Sequence, residues 1–323
     1  MPLCIIMYHY VREIKRSRYP AIKGLDVDKF RQQLDFLNER FTIVRMEDIL
    51  KALEGGDLPE NAALLTFDDG YIDHYTTVFP LLDKMGVQGL FFPPSMILET
   101  ECLMDVNKIH FILASTNPGV IYTSLLNEIE FHRGVEYFLP DTSTLINEYA
   151  KPNRFDTGEV NFIKRMLQTA LPEELRKDIT DRLFTRFVGV DESVFSKELY
   201  CDAAQFLTMK KHGMFIGLQG GKHGWLGNMD KDEYEYDISH SLDYMNSIGL
   251  IDKSGWVMNY PYGSWNDGIL SFIDDKQCLI GLTTDIGVFK PFINDSSPYA
   301  NFLLPRLDAN DFPPVSEKYL DFI

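Results

Sequence analysis

The sequence predicts an α/β fold built around a parallel sheet, and the distribution of apolar residues is the main reason. Short apolar runs recur along the chain and are typical of strands that are buried on both faces. Stretches with the spacing of amphipathic helices lie between many of these runs. This alternation favours a parallel sheet, either open or closed. The 323 residues, 45% of them hydrophobic, suffice for one α/β barrel with an insertion or for two domains.

Eight apolar runs account for the predicted strands. They cover residues 3–8, 41–44, 62–67, 88–92, 214–218, 256–260, 278–283 and 302–304. The clearest amphipathic helices are predicted over residues 28–40, 202–212 and 230–249. The second of these begins at Asp202, a favourable N-cap, and the third opens with Asp230 and Glu233, a pair that resembles a capping box.

Residues 100–198 interrupt this alternation. The pattern there is mostly helical, as in residues 175–187, and no clear strand leads into a motif. We interpret this stretch as an inserted helical subdomain or a cap over one face. Residues 1–99 and 199–323 then form the domain that contains the sheet.

The charge balance limits the partners that the protein is expected to bind. The chain carries 31 basic and 48 acidic residues, a formal net charge of −17. An acidic chain gains little by approaching nucleic acid or an anionic bilayer, so neither is an expected partner. A neutral substrate, or one whose charge is compensated locally, fits better. The sequence does not indicate an oligomeric state.

The cysteines and the N-terminal sequence predict a cytoplasmic protein. The four cysteines lie far apart and form no CxxC pair, which is typical of reduced structural thiols. The first residues, MPLCIIMYHYVREIKR, contain only a short apolar run with no basic region before it. We therefore expect neither a signal peptide nor a membrane span.

Polar side chains cluster just after the predicted strands. They are His9, Asp68, Asp69, Gln219, His223, Tyr262, Arg306 and Asp308. Ligands of parallel α/β folds bind at the carboxyl ends of the strands. Residues that are distant in the sequence are therefore expected to meet at one rim, which predicts a functional site there.

Four motifs carry a resemblance to a known family. In chain order they are MYHYV, TFDDGY, NYPYGSWND and LLPRLD, and together they resemble the polysaccharide deacetylase family, also called NodB-homology or carbohydrate esterase family 4. The resemblance covers roughly residues 1–98 and 200–310, and MYHYV resembles the branch of exopolysaccharide de-N-acetylases. It implies a distorted (β/α)7 barrel. It also implies hydrolysis of N- or O-acetyl groups on sugars with a divalent metal, most often zinc.

The resemblance also implies roles for the paired aspartates. A bare DDG is more often a plain turn, but the buried strand before it and the later motifs favour a site. Asp68 corresponds to the general base that activates water, and Asp69 to a metal ligand. His223 corresponds to a second metal ligand. Gln219 stands where the family has a ligating histidine, so we expect the metal to be weakly bound, different or absent.

The other motifs supply the remaining candidate residues. The resemblance places His9 as the general acid that protonates the leaving nitrogen. The backbone at Tyr260 and Tyr262, in the YPYG motif, is expected to help hold the oxyanion. Arg306 is expected to orient Asp68, because Asn259 stands near the position where many relatives have an arginine. Two further residues, Trp225 as a stacking platform and Asp308 as a hydroxyl acceptor, are candidate sugar contacts.

Three functions remain open from the sequence. The leading hypothesis is a metal-dependent deacetylase whose substrate is an acetylated sugar or a sugar on a nucleotide or lipid carrier, in surface-polysaccharide metabolism. The second is a sugar-binding homologue whose catalysis is impaired because Gln219 replaces a histidine. The third is a hydrolase of C–N bonds in a non-sugar amide. Under any of them, residues 100–198 could shape the pocket as a lid.

Overall fold

The computed structural model of the chain describes residues 2–134, 137–153, 156–290 and 298–322. Its strands are β1 Leu3–Tyr8, β2 Val11–Arg12, β3 Leu25–Asp26, β4 Thr42–Ile43, β5 Ala62–Asp68, β6 Gly89–Phe92, β7 Phe215–Ile216, β8 Trp256–Asn259, β9 Cys278–Ile286 and β10 Leu304–Asp308. Its α-helices are α1 Val27–Arg40, α2 Met46–Leu53, α3 Phe79–Met85, α4 Met96–Glu99, α5 Asp105–Ser115, α6 Pro118–His132, α7 Thr142–Tyr149, α8 Gly158–Arg165, α9 Glu173–Phe187, α10 Glu192–Leu199, α11 Ala203–Lys211, α12 Lys231–Ser247 and α13 Asp267–Asp275.

The main sheet is parallel throughout and curls on itself. Its strand order is β7-β6-β5-β1-β10-β9-β8, with β4 added beside β5. The two outer strands of this order meet at one point: Leu218 donates its N–H to the Val257 carbonyl at 2.9 Å and accepts from the Asn259 N–H at 2.8 Å. The predicted distorted barrel of seven parallel strands is therefore confirmed.

The central strands are apolar without alternation because both of their faces are buried. In β1, Cys4, Ile6 and Tyr8 join one hydrophobic cluster, while Leu3 and Ile5 join another. Successive side chains of a strand point to opposite faces, so a strand packed on both sides needs apolar residues at every position. This is the reason why a run such as LCIIMY predicts a strand in the middle of a sheet.

The predicted strands correspond to β1 and to β4 through β10, and the largest difference is in the last one. The prediction covered 302–304, whereas β10 runs from Leu304 to Asp308. The apolar pattern did not predict this strand because it contains Pro305 and Arg306, and neither a proline nor a charged residue is expected in a buried strand. The two-residue strands β2 and β3, which pair with each other, were not predicted.

The chain divides into two compact units. One contains residues 1–13, 24–102 and 196–323 and includes the sheet, while the other contains residues 14–23 and 103–195. In the second unit, the buried Lys108 pairs with two carboxylates that are partly exposed, 2.6 Å from Asp181 and 3.0 Å from Glu192. The role of residues 100–198 as a lid stays a prediction. Among the described residues, no helix combines the length and the apolar character that crossing a membrane requires.

Candidate active site

The site begins where β5 ends at the paired aspartates. Asp68 is the last residue of β5 and its side chain is 3% exposed. The backbone then turns through two left-handed residues, Asp69 with φ +73° and Gly70 with φ +69°. The positive φ of Gly70 favours glycine, and a Cβ there would also lie 2.5 Å from Ile97 Cδ1 and 3.0 Å from Pro93 Cβ, so these side chains would have to shift.

Asp68 forms a hydrogen-bonded ion pair with Arg306, the residue that we expected to orient it. The guanidinium of Arg306 donates to Asp68 Oδ1 at 2.9 Å, to Asn259 Oδ1 at 2.8 Å and to the Thr283 carbonyl at 2.8 Å. It also donates to Thr66 Oγ1 at 3.2 Å. Only 1% of the Arg306 side chain is exposed, so its charge interacts with Asp68 and the other protein acceptors rather than with solvent.

His9 lies on the open side of Asp68. Its Nε2 atom is 3.8 Å from Asp68 Oδ2, and 40% of its side chain is exposed. The backbone carbonyl of His9 is held by the buried His74, whose Nε2 lies 3.0 Å from it. No functional role was predicted for His74 from the sequence. Only its position on the helical turn after TFDDGY could have linked it to this site.

Asp69 is surrounded by three hydrogen-bonding side chains. Gln219 donates its Nε2 to Asp69 Oδ1 at 2.9 Å, and the Tyr71 hydroxyl donates to Oδ2 at 2.7 Å. His223 Nε2 lies 3.1 Å from Oδ1. Burial alone would raise the pKa of Asp69, but the neighbouring His223 and the hydrogen bonds outweigh it and hold this pKa well below its usual range. Asp69 is therefore a carboxylate at any physiological pH.

Tyr71, the last residue of TFDDGY, is a site residue that the sequence reasoning missed. Burial, together with the charge of Asp69, raises the pKa of Tyr71 well above its usual value, so its hydroxyl stays protonated and can donate. Its ring stacks on Tyr10 with centroids 3.9 Å apart. The two tyrosines thus connect the MYHYV and TFDDGY motifs. Both residues already stood in these motifs, so their positions in the sequence could have indicated that they belong to the site.

The loop that carries His223 is anchored by a buried carboxylate in α12. Asp237 accepts hydrogen bonds from the backbone N–H groups of Gly221 at 2.7 Å and Lys222 at 3.1 Å. A Cβ on Gly221 would lie 2.8 Å from Asp237 Oδ2, so glycine lets the carboxylate approach this closely. Asp237 therefore sets the position of the backbone that leads to His223.

We expect the substitution Asp237→Ala to lower the free energy of unfolding by about 1–3 kcal/mol, because the buried N–H of Gly221 and the N–H of Lys222 lose their acceptor. Urea unfolding followed by fluorescence measures this change. The matched control is Asp232→Ala, which removes an exposed carboxylate from the same helix. Equal stability of the two variants would contradict the anchoring role.

The YPYG motif brings aromatic rings next to His223. The Tyr262 ring stacks on Trp225 with centroids 4.4 Å apart and meets the His223 ring edge-on at 4.7 Å. One face of Trp225 is thus covered by Tyr262, so a sugar could stack only on its other face. Trp225 Nε1 is buried and has no hydrogen-bond partner within the described parts of the chain.

Two further predicted residues lie in other surroundings. Tyr260 is 1% exposed and its side chain packs in the hydrophobic core, where burial raises its pKa far above the usual range. Any contribution of Tyr260 to an oxyanion site would have to come from its backbone. Asp308 is partly buried and accepts a hydrogen bond from the Asn310 N–H at 2.8 Å, which closes a local turn.

Three residues of this site have strained backbones. Asp69, His223 and Tyr262 have φ values of +73°, +53° and +58°, in the left-handed region that favours glycine. They contact one another in series, His223 lying between the other two. Such conformations cost roughly 1–3 kcal/mol each and persist where function requires them. Three strained residues in contact with one another indicate that the candidate active site lies here.

The ligand set does not fit the metal site that the resemblance implies. Asp69 and His223 could each offer one atom, but the Gln219 carbonyl oxygen accepts the Asp69 backbone N–H at 2.8 Å. No group of three or more His, Cys, Asp or Glu side chains that could hold a metal occurs among the described residues. Zinc sites use at least three protein ligands. Of the predicted zinc ligands Asp69, His223 and Gln219, only the first two are carboxylate or imidazole groups, one fewer than the three that a zinc site uses.

Comparison with known proteins identifies a relative of part of the chain and solved structures with a similar fold. No protein-family model matches the chain. The poly-beta-1,6-N-acetyl-D-glucosamine N-deacetylase of Escherichia coli (strain K12) is 34% identical over 98 residues, which are 29% of this chain and 14% of that enzyme. The chain thus matches about one seventh of the length of this curated relative.

Solved structures resemble the whole chain. The Streptococcus pyogenes deacetylase PplD in complex with acetate aligns with a TM-score of 0.59 and 17% identity, over 100% of this chain and 98% of that one. The BpsB deacetylase domain from Bordetella bronchiseptica aligns with a TM-score of 0.55 and 15% identity, over 95% of each chain. The chain therefore has the fold of polysaccharide deacetylases, and the resemblance seen in its motifs is confirmed.

Proposed function

We propose that the protein is a hydrolase that removes an acetyl group from an N-acetylated or O-acetylated sugar in surface-polysaccharide metabolism. The observation that carries this proposal is the contact series of Asp69, His223 and Tyr262, three strained residues beside the buried pair of Asp68 and Arg306. The fold of solved deacetylases and the similarity to an enzyme that is named for deacetylating N-acetyl-D-glucosamine polymers support an acetylated sugar as substrate.

The proposed reaction uses Asp68 and His9 as base and acid. Asp68 accepts a proton from water, whose oxygen forms a bond to the acetyl carbonyl carbon. The carbonyl oxygen takes up the negative charge, next to the backbone of the Tyr262 turn. His9 protonates the sugar nitrogen as the C–N bond breaks. Acetic acid and the sugar amine leave, the acid passes its proton to the amine or to solvent, and the proton on Asp68 returns to His9 through solvent.

The contacts of the two acid–base groups support these roles. Arg306 fixes one oxygen of Asp68 and leaves Oδ2 on the side of His9. His9 is partly exposed, as a group that must exchange protons with solvent needs to be, and its backbone is held by His74. The free thiols of all four cysteines support the proposed cytoplasmic location, where a carrier-linked sugar is a suitable substrate.

Acetate release from N- and O-acetylated sugar oligomers tests this function. We expect the natural chain to release acetate and Asp68→Asn to lower the rate by about 10²-fold, since an amide is not a base. The matched control, Asp35→Asn on the exposed face of α1, should leave the rate unchanged. Saturable sugar binding without acetate release would instead identify a catalytically impaired homologue. Hydrolysis of cyclic amides alone would identify the third hypothesis.

A further inference from the structure

Gln219 forms a two-point contact with Asp69 that reaches both its backbone and its side chain. The Gln219 carbonyl oxygen accepts the Asp69 N–H at 2.8 Å, and the Gln219 amide nitrogen donates to Asp69 Oδ1 at 2.9 Å. Both residues are buried, with 2% and 4% of their surfaces exposed. Contact between positions 150 residues apart thus closes a small hydrogen-bonded ring at the centre of the site.

Only one orientation of the Gln219 amide satisfies both contacts. If the amide were rotated by half a turn, its NH2 group would face the Asp69 N–H and its oxygen would face the Asp69 carboxylate. Donor would then meet donor and acceptor would meet acceptor. The network therefore directs the NH2 group of Gln219, and not its oxygen, toward the carboxylate that the resemblance names as a metal ligand.

An NH2 group at this position takes the place of a cation. It carries partial positive charge and no lone pair for a metal, so it attracts the Asp69 carboxylate as an ion would, but it repels an ion placed beside it. Tyr71 supplies a second donor, to Asp69 Oδ2, and His223 lies against Oδ1. Each oxygen of Asp69 thus already has a protein donor or the His223 ring beside it, and the donor on Oδ1 is the Gln219 amide.

We infer that Gln219 replaces the divalent metal in this site and that the protein binds none there. Gln219 is accordingly a positioning residue, which holds Asp69 in its left-handed conformation through the backbone and fixes its carboxylate through the side chain. The inference deepens the proposed function and rests on it for its catalytic meaning, because it identifies the site as one that works with protein groups alone.

Zinc retention tests the inference without a substrate. The natural chain, Gln219→His and the surface control Gln32→His are each incubated with excess ZnCl2, freed of unbound zinc by gel filtration and measured by mass spectrometry. We expect little zinc in the natural chain and in the control. Gln219→His should retain about one zinc ion per chain, because it completes a set of three ligands.

Thermal unfolding gives a second readout. The natural chain should melt at the same temperature in EDTA and in ZnCl2, whereas Gln219→His should melt roughly 3–5 °C higher in ZnCl2. The isosteric variant Gln219→Glu keeps the side-chain shape but brings two carboxylates together, and it should likewise melt higher in ZnCl2. It therefore serves as the test if Gln219→His does not fold.

Two outcomes would overturn the inference. One is a natural chain that retains about one zinc ion and melts lower in EDTA. The other is the failure of both Gln219 variants to gain zinc, since Gln219 would then not be what excludes the metal. Neither measurement uses acetate release. A protein that lacks deacetylase activity would therefore leave the metal result intact, and a metal in the site would leave the deacetylase test open.

Discussion

The substitution Arg306→Ala is expected to lower the free energy of unfolding by about 3–5 kcal/mol, because it leaves the buried carboxylate of Asp68 without its partner. Arg306 also donates to Asn259 Oδ1 and to the Thr283 carbonyl, and both acceptors would lose their hydrogen bonds inside the protein. The guanidinium connects the ends of β5 and β8 and the interior of β9 to β10, so its removal affects four strands together.

Urea unfolding at neutral pH measures this effect, with two variants as comparison. Arg31→Ala removes an exposed ion pair with Asp28 whose distance is 3.3 Å, and it should cost less than about 1 kcal/mol. Arg306→Lys keeps the charge but cannot reproduce the planar set of hydrogen bonds, so an intermediate loss is expected. If Arg306→Ala were as stable as Arg31→Ala, the buried pair would not hold the strand ends together.

The same pair can be tested by coupling. In an Asp68→Asn background, Arg306→Ala no longer leaves a buried charge, so its cost should fall by about 1–3 kcal/mol. Additive costs for the two substitutions would mean that Arg306 acts through its other hydrogen bonds and not through Asp68.

The fold was predictable from the sequence because a strand buried on both faces needs apolar residues at consecutive positions, and such runs are easy to recognise. Runs such as Ala62–Phe67 contain apolar or β-branched residues at every position, which only a strand between two packed layers requires. The same rule failed at β10, since Arg306 is buried in a strand and is tolerated there only through its four hydrogen bonds. A buried charged residue whose partners are distant in the sequence cannot be recognised from a local pattern.

The composition of the site was also predictable, but its internal contacts were not. Topology alone brings residues after parallel strands to one rim, so Asp69, Gln219 and His223 could be grouped from their positions. Which atom of Gln219 faces Asp69 depends on a hydrogen bond across 150 positions and on the left-handed backbone at Asp69. Neither is a property of any local segment, and for this reason the sequence predicts only that a metal is weakly bound, different or absent.

The second large effect is expected from pH and concerns His74. Its ring is fully buried, and burial lowers the pKa of His74 from its ordinary value of 6.5 to about 4. The Nε2 atom lies 3.0 Å from the His9 carbonyl, while Nδ1 is buried and has no hydrogen-bond partner in the described ranges. A proton added to Nδ1 would therefore place a charge among the rings of Phe67, Tyr71 and Phe91.

The direction of the pH dependence follows from this lowered pKa. Between pH 6.5 and about 4 the unfolded chain binds a proton at His74 that the folded chain does not, so the stability contributed by neutral His74 is complete above pH 6.5 and declines as the pH falls toward 4. The total loss approaches about 3 kcal/mol.

Urea unfolding of the natural chain and of His74→Gln, at several pH values from 7.5 to 4.5, isolates this contribution. Glutamine can still donate to the His9 carbonyl but does not titrate, so its stability should fall less over this range, with a difference in slope that vanishes above pH 6.5. His212→Gln, at an exposed histidine 3.2 Å from Asp83, keeps His74 and should still show the decline in stability below pH 6.5. Parallel curves for the natural chain and His74→Gln would mean that His74 is protonated as easily in the folded protein as in the unfolded one. Its neutral ring would then not be what holds the backbone of the proposed acid.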